Sequence, residues 1–432
     1  MHVPPHSRRA RSLAAISVLA IGAATLAACA PASDGTGSEP IDLETPAVGT
    51  IEVWTQGADG ADLPEIFATF EEENPDVTIK LSEVPEAEFA SKITAAIAAG
   101  TVPDLIYGYT QTFATLLSTE GFAPVPDGVV EKEDFFENIW ELSVIDDTAY
   151  GVPWYAYANS SIYRSDLAEQ ANVKIPETWD EVIAYSEGVQ AEGVEFPVVL
   201  PIAWNTYTAG VLDVLAHQNN SALINDDNTE WTINEPANVE ALEYFASFIQ
   251  DGLASADGPA FLDIVPWISQ GRAAAMPDSG TWFTGWLDEA NGEGWSAEHI
   301  TIAPNPIPEG GTPAATLGGG SWFVPIDADN PTEAWQLVHF MSQPETQVEW
   351  YKIFGSFPAV KAAWDDPALE GTPLLETTRE SLNYAVSTPN VATWPEVSQI
   401  IASEMEKVAR GTSTAEDALD AAQERAAAIG TE

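Results

Sequence analysis

Between Thr50 and Tyr107 the hydrophobic pattern changes period four times, and this alternation leaves the chain few folds to choose from. Thr50-Ile51-Glu52-Val53-Trp54 alternates as a strand does. After a turn at Gly57–Gly60, residues 63–73 place Leu63, Ile66, Phe67 and Phe70 on one helical face, and Asn74-Pro75 closes the helix. Val77–Leu81 reads as a second strand, Phe89–Ala99 as a second helix stopped by Gly100, and Asp104–Tyr107 as a third, buried strand. Strand, helix, strand, helix, strand in close succession predicts a parallel sheet with crossover helices. Ligands of such sheets sit outside the carboxyl ends of the strands. This places Trp54-Thr55-Gln56 and Gly108-Tyr109-Thr110-Gln111 at the expected mouth.

At 432 residues the chain exceeds what one hydrophobic core usually serves, so two or more domains are expected. The first segment is of another kind. Arg8, Arg9 and Arg11 precede an uncharged run, Ser12–Ala28, which ends in Leu26-Ala27-Ala28-Cys29. A basic head, a short apolar run and small residues before a cut are the marks of a secretory signal, and the run is short for a membrane span. Leu-Ala-Ala-Cys resembles the bacterial lipobox, which implies a signal over residues 1–28 and a lipid on Cys29, the sole cysteine of the chain. Arg8-Arg9 leaves twin-arginine export open beside the general route. Residues 29–48 are small, polar and rich in Pro and Gly, a disordered tether.

The formal charge is −52, from 67 acidic and 15 basic side chains. Such a chain repels phosphate backbones, which excludes nucleic acid as a partner. The acids are spread along the chain, as in Glu71-Glu72-Glu73 and Asp226-Asp227, which suits a solvated surface better than one cation pocket.

Downstream, Tyr150–Asn159 and Ser160–Tyr163 read as extended, and Thr178 opens a capped helix running to about Ala191. Pro197–Ile202 reads as a strand, 236–251 as a helix, and Ala273–Trp282 as a strand entering a Gly turn. Helices follow at 332–341, 344–353, 397–410 and 414–429.

In this order the motifs resemble the sugar-type extracellular solute-binding proteins of ABC importers, the maltose-binding-protein-like family 1. The marks are Ile51–Trp54, Phe67–Pro75, Pro103–Ile106, Gly151-Val152-Pro153 followed by Ile162–Leu167, and Gly318-Gly319-Gly320-Ser321. The resemblance implies an α/β, two-lobe periplasmic-binding-protein-like fold of type II. Each lobe would be a mainly parallel sheet flanked by helices, with a hinge between them. It puts residues 49–156 plus 321–365 in one lobe and 157–320 plus 366–432 in the other. It further implies a saccharide held in the cleft, the importer's permease as partner, a monomer, no cofactor, and a place outside the cytoplasm on the outer face of the membrane. Trp54, Trp282, Trp322, Gln56, Tyr109, Gln111 and Tyr157 match places where the family sets ligand contacts.

The side-chain chemistry points the same way. A pyranose offers flat apolar faces to aromatic rings and equatorial hydroxyls to Asp, Asn and Gln. Among 15 tryptophans, Trp54, Trp204, Trp282, Trp322 and Trp394 are flanked by turn residues, whereas Trp140, Trp179 and Trp335 fall in helical patterns and belong to the core. Trp204-Asn205 can floor the cleft, Asp278 can accept from two hydroxyls or cap the following turn, and Phe357 is a further stacking candidate. Gly319 and its glycine neighbours, followed by Ser321, allow a close backbone approach or a flexing hinge. The run lacks the Lys-Ser/Thr ending of a phosphate loop. Past the signal only His217, His299 and His339 remain, in no metal or triad spacing, and no nucleophile motif is present, so no metal and no catalytic residue are expected. Two rival readings stay open. The same fold could take a cationic solute such as a polyamine or amino sugar, or a carboxylate pair could make a secreted glycoside hydrolase.

Overall fold

A computed structural model describes residues 41–431 apart from Ala58, Pro201, residues 260–262 and Thr372. The signal, Cys29 and most of the tether lie outside the described residues. The described residues form one compact unit.

The alternation read from the first hundred residues appears as β1 (Val48–Gln56), α1 (Leu63–Glu73), β2 (Asp76–Val84), α2 (Glu86–Ala99) and β3 (Leu105–Tyr109). β1 lies between β2 and β3 and is parallel to both. Asn74 ends α1 by donating its side-chain amide to the Phe70 carbonyl, 2.9 Å away. Gly100 ends α2 in the left-handed region, at φ 63°. α2 starts three residues before the sequence pattern suggested, because Glu86 and Glu88 favour the positive end of the helix.

The later strands are β4 (Gly151–Ala158), β5 (Ser160–Arg164), β6 (Ala275–Ser279), β7 (Ile300–Ala303), β8 (Ala315–Phe323) and β9 (Ala385–Val386). β8 joins the first sheet beside β3, running antiparallel to β3 and to β4, and β9 pairs parallel with it at the far edge. The six-stranded sheet is therefore mixed. The second sheet departs from the expected parallel order, because β5 pairs antiparallel with both β6 and β7. Its register explains why. β5 begins at Ser160 by the first sheet, while β6 and β7 end there, Ser279 opposite Ser160 and Ala303 opposite Ser161. Strands that leave and return to one junction must run in opposite directions. Pro197–Ile202, expected as a strand, makes among its described residues a single bridge, Val198 to Ala275. Pro197 has no N–H to give, and its carbonyl takes the N–H groups of both Ala274 and Ala275.

Two main cores result. One gathers Ile51, Val53, Leu105 and Tyr107 with Trp154, Trp322, Trp335 and Trp350. The other packs Tyr163, Tyr185 and Ala275 against α3 (Thr206–Gln218), α4 (Pro236–Gln250), α6 (Trp394–Ala409) and α7 (Ala415–Ile429), α5 being Phe283–Asn291. The chain passes between the cores at Asn159, between Ala303 and Ala315, and between Ala385 and Val391. This differs from the expected division. Leu369, Leu375, Leu382 and Ala385 pack in the first core, where the resemblance had put residues 366–432 in the second lobe. Ala315 and Leu317 also belong to the first core, because β8 is a strand of its sheet.

Candidate ligand cleft

The junction between the two cores is built on glycine. In β8, Gly318 and Gly320 point to one face, opposite Tyr157 and Tyr155 of β4. A Cβ on Gly318 would stand 1.9 Å from Cζ of Tyr157, and one on Gly320 would stand 2.1 Å from the Tyr107 hydroxyl. Gly319, at φ 146°, has the Tyr155 carbonyl 2.3 Å from where its Cβ would be. The run thus makes a floor on which tyrosine rings lie flat. The space the sequence reading offered to a ligand or a flexing hinge is filled by Tyr157, Tyr107 and the β4 backbone.

From that floor an aromatic wall rises. Tyr107 meets Tyr109 edge-on at 5.8 Å and Tyr155 at 6.2 Å, and Tyr155 meets Phe354 at 6.5 Å. On the other side, Trp282 stands edge-on to Tyr157 at 5.2 Å, with its ring over Gly280. Trp282 is 39% exposed, Trp286 36% and Phe354 37%, among few large apolar side chains so open to solvent. Trp286 was missed by the sequence reading. It lies four residues past Trp282, on the same face of α5, and that spacing is the signal that points to it. Phe283 links the two, 6.1 Å from Trp282 and 5.2 Å from Trp286.

Polar groups border this wall. Gln56, at the end of β1, is buried, and its carbonyl oxygen accepts from the Tyr109 N–H and the Thr112 hydroxyl, each at 2.9 Å. The expected mouth residues Gln56 and Tyr109 are thus brought together, with Gln56 holding the turn after β3. Asp278 adopts φ 48° and sits where β6 meets the junction. Its carboxylate accepts from Asn305 Nδ2 at 2.7 Å, from the Thr316 N–H at 2.9 Å and from the Thr316 hydroxyl. Burial raises the Asp278 pKa from its ordinary value, and the bonds from Thr316 and Asn305 oppose the rise. Across the junction, Tyr207 at the start of α3 is 61% exposed, and partial desolvation of its hydroxyl together with the Glu86 carboxylate of α2 raises its pKa. Among the described residues no group of His, Cys, Asp and Glu is arranged to hold a metal ion, and no helix is long and apolar enough to cross a membrane.

The family model described as bacterial extracellular solute-binding protein matches residues 65–377. The chain belongs to the bacterial extracellular solute-binding protein family. Among its relatives, a binding protein of Brucella abortus is 26% identical over 385 residues, covering 84% of this chain and 89% of the relative. The galactooligosaccharide-binding protein of Bacillus subtilis is 23% identical over 422 residues, 93% of each chain. The fold matches that of the sugar-binding protein MalE of Xanthomonas citri with a TM-score of 0.80 at 23% identity, covering 88% of this chain and 97% of that one. This solute-binding protein therefore has the expected two-lobe periplasmic-binding-protein-like fold and works outside the cytoplasm. It binds a solute and is not an enzyme, which removes the hydrolase reading.

Several expected contact residues of this solute-binding protein lie elsewhere. Trp322 is 1% exposed and wedged between Tyr107 and Trp154, because it continues the inward face of Gly318 and Gly320. Ser321 is buried in the same strand. Phe357 packs between Tyr351 and Trp364 in the first core. Trp394 is 5% exposed and stacks on Trp231 in the second. Trp54 is capped by Lys92 of α2, whose ammonium lies 4.0 Å from the ring centroid, and it packs beside the buried Phe89 and Ile106. Trp204, at φ 48°, packs edge-on to Phe245, and Asn205 is spent capping α3 through the Tyr207 N–H. Gln111 lies in the turn after β3, and its side chain is outside the described residues.

Proposed function

We propose that this protein captures a saccharide between two lobes, one around each core, and delivers it to the permease of an ABC importer. In this reading Cys29 carries the lipid that holds a monomeric globule to the outer face of the membrane, with residues 30–48 as its tether. The observation that carries the proposal is the part-exposed aromatic wall of Tyr157, Trp282, Tyr109 and Phe354 around Gly318–Gly320, which suits the flat faces of a pyranose. The galactooligosaccharide-binding relative, similar over nearly the whole length, supports it. Solute binding then shifts the balance between open and closed lobes by contacts to both. A cationic solute is less well served, since the carboxylate of Asp278, four residues before Trp282 of the wall, already accepts from Asn305 and Thr316.

A thermal-shift panel of lactose, melibiose, maltose and raffinose beside putrescine and spermidine tests this. A saccharide about 100-fold above its Kd adds about 2.7 kcal/mol, a rise of a few degrees at this size. A rise with a saccharide alone is the expected result. A rise with a polyamine alone overturns it.

A further inference from the structure

The sequence offered Asp278 either as an acceptor for two sugar hydroxyls or as a cap on the following turn. Its surroundings assign it other work. Its carboxylate takes Asn305 Nδ2 and the Thr316 N–H, and Thr316 is the second residue of β8 in the first sheet. Its carbonyl accepts from Asn159 Nδ2 at 2.9 Å, and the Asn159 N–H reaches the Thr316 carbonyl at 2.9 Å. Its own N–H is shared between Asn305 Oδ1 at 3.2 Å and Ser161 Oγ at 3.4 Å, and the Ser161 hydroxyl donates to Asn305 Oδ1 at 3.0 Å. One residue therefore ties together two of the three passages between the cores, the one at Asn159 and the one that carries Asn305 to Thr316.

Three further observations bear on what the knot does. Asp278 is held in the left-handed region, where a residue with a Cβ stays only if its surroundings over-determine it. It borders a cavity of about 40 Å³ lined by Trp179, Leu215, Tyr244, Phe248 and Asn305. Four residues on, past Ser279, Gly280 and Thr281, comes Trp282, the most open aromatic of the wall.

We infer that Asp278 is a positioning residue, pinning the two hinge passages to each other and to the turn that carries Trp282, so that hinge geometry sets where the Trp282 ring stands. This rests on the proposed two-lobe saccharide site. The coupling works both ways, because a ring fixed by a ligand holds the hinge in the arrangement that fits it.

The test uses the full chain with Cys29→Ser and spin labels on cysteines introduced at Ser91 in α2 and Glu243 in α4, both exposed. Pulsed electron resonance then reads the spacing between the two cores without any ligand. Asp278→Ala and the similarly sized Asp278→Asn should both broaden that spacing, and Thr316→Val should move it the same way by less. If Asp278→Ala does not fold, Asp278→Asn decides. Unchanged spacing in Asp278→Asn overturns the inference. With lactose, melibiose, maltose and raffinose as probes, Asp278→Asn should weaken the best binder about tenfold, and combining it with Trp282→Ala should cost less than the two losses multiplied. Independent, multiplying losses overturn the coupling. If no saccharide binds the parent chain, the saccharide reading fails, while the spacing still judges the role of Asp278.

Discussion

Asp213 shows how a single side chain ties this fold to pH. It lies on α3, 2% exposed, with His217 Nε2 4.0 Å from its carboxylate. Burial pushes its pKa up to about 7, and a hydrogen bond from the Leu223 backbone only partly opposes this. An ordinary carboxyl in the unfolded chain titrates near 4, so the native state holds this proton more tightly. The contribution of Asp213 is then fully present below pH about 4 and is lost as pH rises to about 7. His217, whose pKa burial lowers, acts in the opposite sense as pH falls. Asp213→Asn should remove the first slope. Its stability relative to the parent should grow by about 1.4 kcal/mol per pH unit between about 4 and 7, read by denaturant melts across that range. A gap that does not change with pH contradicts this. Nothing in the sequence marks Asp213, since a carboxylate on an apolar helix face looks like any other until its neighbours are known. The same limit applies to tryptophan. Turn-flanking residues drew attention to Trp282, which is open, and equally to Trp322 and Trp394, which are buried.

At the scale of elements, the Gly318–Gly320 run in β8 has the clearest consequence. Its meaning lies in the register with β4 and β3, which sets Tyr155, Tyr157 and Tyr109 opposite glycines. Tyr107 is fully buried among Tyr109, Tyr155 and Trp322 and cannot swing aside for a methyl group. Gly320→Ala should therefore destabilise the protein by about 1–3 kcal/mol, the usual cost of overpacking, measured by urea unfolding. A neutral result would mean that Tyr107 is not held as described. Most elements were legible from periodicity and punctuation, down to α1 at Leu63–Glu73. Pro197–Ile202 misled because an apolar run tells of burial and not of pairing, and pairing needs a neighbour with free backbone groups. The antiparallel second sheet was equally hidden, since strand direction depends on where the intervening helices return the chain.

For the whole molecule, charge acts as a single term. At −52 the surface repels itself, and salt screens that repulsion. Raising NaCl from about 0.01 M to about 1 M, which shortens the screening length from about 30 Å to about 3 Å, should raise the unfolding midpoint. A midpoint that falls would mean that the eight Lys and Arg ion pairs found among the described residues outweigh the repulsion. The sequence by itself determined the α/β class, the alternation of the first hundred residues and the acidic character, because these depend on local pattern and on sums over the chain, while the two-lobe fold came from the resemblance of its ordered motifs to a known family. Tertiary structure alone decided how the chain is shared between the two cores, which aromatics stay part-exposed, and that Asp278 bonds to both Asn159 and Thr316. Those outcomes rest on contacts between residues up to hundreds of positions apart, such as Leu382 in the core of Ile51, or Thr316 on the carboxylate of Asp278. Linear spacing carries no record of which neighbours the folded chain supplies.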